Sequence, residues 1–292
     1  MLAGASGFLG TALKQSLLAD GHDVLVLVRH ETAQAGEDSW DPGSGRIDPD
    51  FLAGADAVVC LSGVGVGDRR WTESYKQLIL RSRVDSVGTI ARSLRDYGGP
   101  RTFIAASAVG YYGASGDRVV DEQSPPGELF LSEVCRQWEA AADPAREAGV
   151  RVTHLRTGLV LARGQGLLAR LVPIVKTGGG GKLGDGKQYM PWISLTDEIA
   201  AIRFLLSHDV AGPVNLTGPA PVRNDEFTRT LGRVLHRPTL VPVPGFAARI
   251  ALGEFAENVL TGQRAVPKRL LEAGFEFAHR DLESALRAEL GD

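Results

Sequence analysis

Gly4, Gly7 and Gly10 constrain this chain more than any other feature of it. They lie in Gly4-Ala5-Ser6-Gly7-Phe8-Leu9-Gly10, directly after Leu2-Ala3 and directly before Thr11-Ala12-Leu13. That order reads as a strand end, a glycine turn and a helix start. Gly4 permits the sharp turn, Gly7 lets the backbone approach a bound group, and Gly10 lets the helix pack closely. A helix N-terminus offers unpaired N–H groups and a partial positive charge, which suit phosphate. Strand, glycine loop and helix in this order form the context of a dinucleotide pyrophosphate site. The spacing is G-x-x-G-x-x-G rather than the commoner G-x-G-x-x-G. We assign cofactor contacts to Gly4, Ser6, Gly7, Phe8, Leu9 and Gly10. Only Met1-Leu2-Ala3 precede the loop, where an ordinary strand has about five residues. Either the first strand is short or a few residues ahead of it are missing, and its beginning is expected to pair weakly.

The first half then alternates apolar runs with helical patterns, the mark of a parallel sheet with crossover helices. Leu9, Leu13 and Leu17 line one face of the first helix, which Gly21 ends. Val24 to Val28, Ala57 to Leu61, Thr102 to Ala106 and Val152 to Leu155 read as buried strands. The segment from Glu31 to Asp50 is polar and rich in Gly and Pro, and reads as largely loop. Thr72 to Leu94 reads as a long helix. Leu131 to Ala148 reads as another, broken or kinked at Pro144. Beyond residue 160 the pattern changes to the flexible Gly178-Gly179-Gly180-Gly181 stretch and short elements. Thr196 to Ser207 and Asn224 to Leu235 read as helices, the second with Asn224 as its N-cap. The tail from Gln263 to Leu290 reads as two short helices around Phe275-Glu276-Phe277.

A chain of 292 residues with these patterns fits an α/β, doubly wound parallel sheet with a smaller C-terminal substrate lobe. The cofactor domain is placed at 1–160, with sheet returns near 188–217. The mixed substrate lobe is placed at 161–292, including a C-terminal module at about 240–292. Hydrophobic content of 43%, charged content of 23% and a net charge of -3 describe an ordinary globular chain. No basic domain supplies the charge that nucleic acid demands, and no run is long and apolar enough for a membrane helix. With no leader pattern, the cytoplasm is the expected address. Monomer and homodimer both stay open. Cys60 and Cys135 are expected as free thiols, and no His, Cys and carboxylate cluster has metal spacing.

Several further residues carry chemistry. Arg29 ends the second strand, 19 positions after Gly10, where an NAD site usually has an acidic residue on the ribose hydroxyls. A guanidinium there suits the 2′-phosphate of NADP through charge-assisted bonds. Glu31, two residues on, keeps NAD in play, and NADP is expected over NAD. Leu61-Ser62-Gly63 follows a strand at the sheet's carboxyl edge, where small residues admit a cofactor, although such a turn also serves structure alone. Ser107, within Ser107-Ala108-Val109-Gly110-Tyr111-Tyr112-Gly113, can line a site and bind a substrate carbonyl or hydroxyl. Tyr111 is the candidate proton donor, and packing is the alternative for this tyrosine pair. Gly184 to Trp192 leads from a turn into an aromatic strand, and suits either recognition of a polar ring-bearing ligand or a hairpin with Trp192 in the core. Tyr112, Gln188, Tyr189 and Trp192 are the expected substrate contacts. His154, in an apolar strand, reads as a core histidine with a backbone partner.

Taken together, Gly4 to Gly10, Leu61-Ser62-Gly63, Ser107 to Gly113, Gly184 to Trp192 and Gly212-Pro213-Val214-Asn215 resemble the extended short-chain dehydrogenase/reductases, the NAD-dependent epimerase/dehydratase family. Arg70-Trp71-Thr72, Ser82-Arg83, Gly262 to Arg269 and Ala273-Gly274-Phe275 are similar to an atypical subfamily of epimerase-like proteins with a short C-terminal domain of unknown function. The resemblance implies a Rossmann-type domain holding NADP(H). It also implies cofactor contacts from Val28, Arg29, Leu61, Ser62, Arg83, Thr157, Gly158 and Leu159, which join the Gly63 contact read from its place after the strand. Members of the wider family carry a tyrosine and, four residues later, a lysine on the helix after the serine strand. With Glu139 marking the register, Leu131 and Cys135 stand at those positions. Neither relays a proton as that pair does, which turns attention to Ser107 and Tyr111. Two functions follow as expectations. One is an NADP(H)-binding, epimerase-like oxidoreductase acting on a small polar substrate, sugar-like or nucleotide-like. The other is an NADPH-sensing binding protein without turnover.

Overall fold

The computed structural model describes residues 1–291. In chain order the chain forms β1 (Leu2–Ala3), α1 (Phe8–Ala19), β2 (Val26–Val28), β3 (Glu37–Ser39), α2 (Pro49–Ala53), β4 (Ala57–Cys60), α3 (Glu73–Tyr97) and β5 (Thr102–Ala108). A 3-10 turn (Val109–Tyr112) leads to β6 (Val119–Val120), α4 (Phe130–Ala140), α5 (Asp143–Glu147), β7 (Arg151–Thr157), β8 (Leu159–Leu161), α6 (Gly166–Lys176), β9 (Tyr189–Met190) and β10 (Trp192–Ser194). There follow α7 (Leu195–Ser207), β11 (Gly212–Leu216), β12 (Val222–Arg223), α8 (Asn224–Val234), α9 (Gly245–Leu252), α10 (Phe255–Thr261), β13 (Arg264–Ala265), α11 (Lys268–Glu272) and α12 (Leu282–Leu290).

The central sheet is seven-stranded and parallel, in the order β11-β7-β5-β4-β1-β2-β3. The strand order reverses between β1 and β4, the switch point at which doubly wound sheets bind ligands. Leu2 and Ala3 stand opposite Val26 and Leu27 on one side and Val59 and Cys60 on the other. The expected weak start is corrected here. Met1 O accepts from Val59 N at 2.9 Å and the Met1 amino group donates to Ala57 O at 2.7 Å, so pairing reaches the first residue.

The Glu31 to Asp50 segment, read as loop, supplies β3, registered on β2 from Val26↔Glu37 to Val28↔Ser39. An edge strand of Glu, Asp and Ser carries no apolar signal. Its anchor is Trp40, which is buried in the core beside it. Thr72 caps α3 by accepting from Tyr75 N. Pro144 ends the helix pattern as expected, in the first turn of α5, where its missing N–H costs no bond. The Asn224 cap is corrected. Arg223 is the cap residue, and the Asn224 side chain accepts from Leu183 N at 2.7 Å.

Two compact units make up the chain: Met1–Ser107, Val134–Leu155 and Ile202–Pro213 in one, and Ala108–Glu133, Arg156–Ala201 and Val214–Asp292 in the other. The first has its own core, with Phe103, Val58, Ile90 and Leu52 fully enclosed. The second is built around Trp192, Phe227, Leu161 and Leu286. Tyr112, Val120 and Ala265 form a smaller cluster there, where β13 pairs with β6. The Gly178 to Gly181 stretch lies against the segment at Val241. Val241 N donates to Gly180 O at 3.2 Å, and a Cβ on Gly181 would stand 2.2 Å from Val241 O. Among the described residues, no helix is long and apolar enough to cross a membrane.

Candidate functional site

In the first unit the glycine loop forms the N-terminal end of α1. Gly4 has φ +85°, a backbone state that side chains disfavour. A Cβ on it would stand 2.9 Å from Leu61 C and 3.0 Å from Ser62 N, so the loop after β4 lies against the loop after β1. Gly7 N bonds back to Gly4 O at 3.1 Å, and Thr11 N bonds to Gly7 O at 2.8 Å. Gly10 is the tightest of the three. A Cβ there would stand 2.1 Å from Gly4 O and 2.9 Å from Ala5 Cα. Gly10 thus seats the helix on its own loop. No side chain caps Gly7 at the start of α1, which leaves the helix N-terminus without that partner.

Arg83 lies on α3, 9% exposed. Its Nη2 donates to Val64 O and its Nη1 to Ile79 O, both at 2.9 Å. The guanidinium sits 5.0 Å from the centre of the Trp138 ring, a cation–π distance. A Cβ on Gly63 would stand 3.3 Å from Arg83 Cζ. Burial draws the guanidinium below its usual range, with the nearby Cys135 and Tyr75 opposing. Its hydrogen-bond partners are neutral carbonyls, and it makes no salt bridge among the described residues. A buried cation in that state suits an added anion. Ser82 holds the same loop by accepting from Val64 N at 3.2 Å. Arg29 and Glu31 are both exposed beyond the end of β2.

Ser107, near the carboxyl end of β5, is 4% exposed, and its hydroxyl donates to Glu139 Oε1 at 2.7 Å. The fold brings Glu139, 32 positions along the chain, to Ser107 as its partner. Cys135 on the same helix and Cys60 in β4 are both buried and outside any disulfide. Burial pushes the Cys60 thiol up to about 11. His154 is buried, and its Nε2 lies 3.2 Å from Arg146 Nη2, so a side chain is among its partners.

In the second unit, Arg156 is the residue that sequence reasoning missed. Its guanidinium lies 3.5 Å from the centre of the Tyr111 ring and donates to Tyr112 OH at 3.0 Å. An arginine inside an apolar β-strand pattern was the available signal. Three expected substrate contacts are buried. Tyr112 is 1% exposed, donates to Asn215 Oδ1 at 2.6 Å, and has its phenol pushed up to about 12 by burial, so it belongs to the core network. Trp192 is 1% exposed, with Nε1 donating to Ala220 O at 3.0 Å and its ring against Gly218. Gln188 is buried and ties Nε2 to Leu183 O at 3.0 Å. Tyr189 is half-buried, with the Arg264 and Arg223 guanidinium groups 5.0 and 5.4 Å from its ring centre.

Thr157, Gly158 and Leu159 form a half-buried turn between β7 and β8. Gly158 N donates to Leu216 O at 2.9 Å and Leu159 N to Pro191 O at 2.7 Å. A Cβ on Gly158 would stand 2.1 Å from Pro191 O, so only glycine fits. The register expected for the tyrosine position has a physical neighbour: a Cβ on Gly110 would stand 3.4 Å from Leu131 Cβ, and Ser132 Oγ bonds Gly110 O at 2.9 Å. An aliphatic chain therefore packs beneath the Gly110-Tyr111 turn.

Comparison with known proteins matches residues 1–217 to the NAD dependent epimerase/dehydratase family and residues 243–289 to a domain of unknown function (DUF1731). An epimerase family protein of Mycobacterium leprae is 49% identical over 98% of this chain and 93% of its own length. The epimerase family protein YfhF of Bacillus subtilis is 36% identical over 100% of this chain and 97% of its own. A crystal structure of the human epimerase family protein SDR39U1 with NADPH superposes with a TM-score of 0.89 at 31% identity, covering 100% of this chain and 98% of that one.

Proposed function

Because the chain belongs to the NAD dependent epimerase/dehydratase family, we propose that it binds NADP(H) and acts as an epimerase-like oxidoreductase on a small polar substrate. The observation that carries this reading is the buried Arg83 guanidinium, without a carboxylate, beside Gly63 in the same unit as the glycine cradle. A human relative whose crystal structure contains NADPH supports the choice of cofactor. When bound, the cofactor supplies a hydride, which no side chain of the protein can do.

The residues fit that group. Gly4, Ser6, Gly7, Phe8, Leu9 and Gly10 would hold the pyrophosphate at the N-terminus of α1, where added side chains would collide with Gly4 and Leu61. Arg29, exposed at the end of β2, would donate to a 2′-phosphate. Val28, Leu61, Ser62, Gly63 and Arg83 complete the proposed contacts of the first unit. Thr157, Gly158 and Leu159 are those proposed for the second. Ser107 would orient a carbonyl or hydroxyl, with Glu139 fixing the direction of its hydroxyl. Tyr111 stays the proposed proton donor, and Arg156 places a positive charge against its ring. Tyr112, Gln188, Tyr189 and Trp192 stay the proposed substrate contacts, of which Tyr189 is the most exposed. A cytoplasmic address belongs to the same proposal.

Titration calorimetry with NADPH and NADH tests the cofactor. Binding of NADPH in preference to NADH is expected, and no heat with either removes the reading. A substrate screen following NADPH absorbance, paired with Ser107→Ala and Tyr111→Phe, tests the chemistry. Turnover that neither change weakens removes the proposed roles.

A second reading is favoured by Leu131 and Cys135, which replace the family's tyrosine and lysine. In it the protein binds NADPH as a sensor and turns nothing over. NADPH binding without consumption across the screen would select it.

A further inference from the structure

Glu198 lies in the first turn of α7 and is fully buried. Carboxyls are seldom enclosed without a cation, because the ionised form loses its hydration. Here Oε1 accepts one hydrogen bond, from Thr157 Oγ1 at 2.9 Å. Oε2 is buried and has no hydrogen-bond partner among the described residues. The Thr217 hydroxyl is in the same state. A Cβ on Gly158 would stand 3.1 Å from Thr217 Cγ2, so both groups adjoin the Thr157–Gly158–Leu159 turn. One side of the turn thus holds a carboxyl and a hydroxyl with unused hydrogen-bonding capacity.

The charged groups of the surrounding elements are engaged elsewhere. Asp197, next on α7, accepts from Ser194 Oγ, Ala278 N and His279 N. His279, on the tail, bonds Ser194 Oγ through Nδ1. Arg156, next on β7, bonds Tyr112 OH and Glu122 O. Glu122 accepts from Asn215 N and Arg269 N. None of them pairs with Glu198. Burial therefore dominates, and pushes its carboxyl from 4.5 up to about 8 against the weaker pull of Thr157.

We propose that Glu198 is a proton store for the Thr157–Gly158–Leu159 turn, with the Thr157 hydroxyl as its outlet. A carboxylic acid and a hydroxyl 2.9 Å apart can exchange donor and acceptor roles. In the transfer, the O–H bond of the Glu198 carboxyl breaks and its proton forms a bond to Thr157 Oγ1. The proton originally on Thr157 passes to a basic oxygen on the outer side of the turn. Glu198 is left as a carboxylate and regains its proton from water through the same hydroxyl. One proton moves and no electron changes hands. Glu198 is thus a positioning residue acting through Thr157. Its use in a reduction rests on the proposed NADP(H) reading, in which this turn is a cofactor contact, whereas the store itself is measurable in the protein alone.

Infrared spectroscopy of the whole chain without added ligand tests the proposal. The carbonyl band of a protonated carboxyl is expected at neutral pH, fading as pH rises through about 8. Glu198→Gln is expected to remove it. After a jump to alkaline pH the band decays quickly in the wild type and in Thr157→Ser, and at least ~10-fold more slowly in Thr157→Val, which lacks the hydroxyl. Absence of the neutral-pH band, its persistence in Glu198→Gln, or equal decay in Thr157→Val would each overturn the proposal. Thermal melts identify any variant that has not folded, and the unsubstituted chain still reports the band and its pH dependence. Failure of NADPH to bind, read by calorimetry, would instead count against the cofactor reading and leave the infrared result standing.

Discussion

The Ser107 hydroxyl donates to Glu139 Oε1 at 2.7 Å, joining the carboxyl end of β5 to α4. The bond fixes which way the hydroxyl's lone pairs point. Ser107→Ala is expected to destabilise the fold by about 1.5–3 kcal/mol, the range for one bond to a charged group. Urea denaturation measures this. NADPH affinity is expected to change less than about 3-fold, because Ser107 holds substrate in the proposed reading, while any turnover drops at least ~10-fold. A loss of cofactor affinity in step with turnover would assign Ser107 to the cofactor instead.

Gly10→Ala places a methyl 2.1 Å from Gly4 O, a distance that real contacts do not reach. The loop or the helix must move. We expect a stability loss of about 1–3 kcal/mol and at least a ~10-fold loss of NADPH affinity, read by calorimetry. Gly54→Ala is the control, since its added carbon makes only a 3.4 Å contact at φ -70°.

Arg83→Met removes a buried charge while keeping most of the side-chain volume. The charge is compensated by two carbonyls and the Trp138 ring and by no carboxylate among the described residues, so the melting temperature is expected to move by only a few degrees, in line with the small net cost of replacing buried ions. NADPH affinity is expected to fall at least ~30-fold, about 2 kcal/mol. Collapse of the fold with no specific loss of binding would make Arg83 a structural clamp for Val64.

Arg29→Ala changes an exposed side chain, so stability is expected to stay within about 0.5 kcal/mol. The ratio of NADPH to NADH affinities is expected to fall by roughly 10-fold, the effect of losing one or two charge-assisted bonds to the 2′-phosphate. Paired calorimetric titrations measure the ratio.

Glu198 also gives a pH-dependent stability with a definite sign. Its folded-state carboxyl titrates at about 8, against 4.5 as the ordinary value. Between those pH values the folded state binds more protons than the unfolded one, so this group's contribution to stability falls as pH rises. Above about 8 the loss is complete. Glu198→Gln cannot ionise, so its stability relative to wild type is expected to rise steadily from about pH 5 to about pH 8. Urea denaturation at a series of pH values checks the slope. A constant difference would show that Glu198 carries the same charge folded and unfolded throughout that window.

Much of the cofactor half was legible because its signals are local. Gly4-x-x-Gly7-x-x-Gly10 between an apolar strand and an apolar-faced helix encodes turn, close approach and helix seat within ten residues. Buried strands such as β2 and β4 announce themselves as apolar runs. β3 did not, because an edge strand of Glu37-Asp38-Ser39 is held by backbone pairing to β2 and by Trp40 beyond it. Neither leaves a periodic pattern.

The chain alone therefore determined the parallel α/β order and the glycine cradle, since each depends on residues adjacent in sequence. Tertiary structure decided which polar groups are enclosed and what they touch. It buried Tyr112, Gln188 and Trp192, set Arg156 on Tyr111, paired Ser107 with Glu139 across 32 positions, and closed Glu198 behind Thr157 across 41. Desolvation and charge pairing depend on distances in space, and no spacing along the chain encodes them.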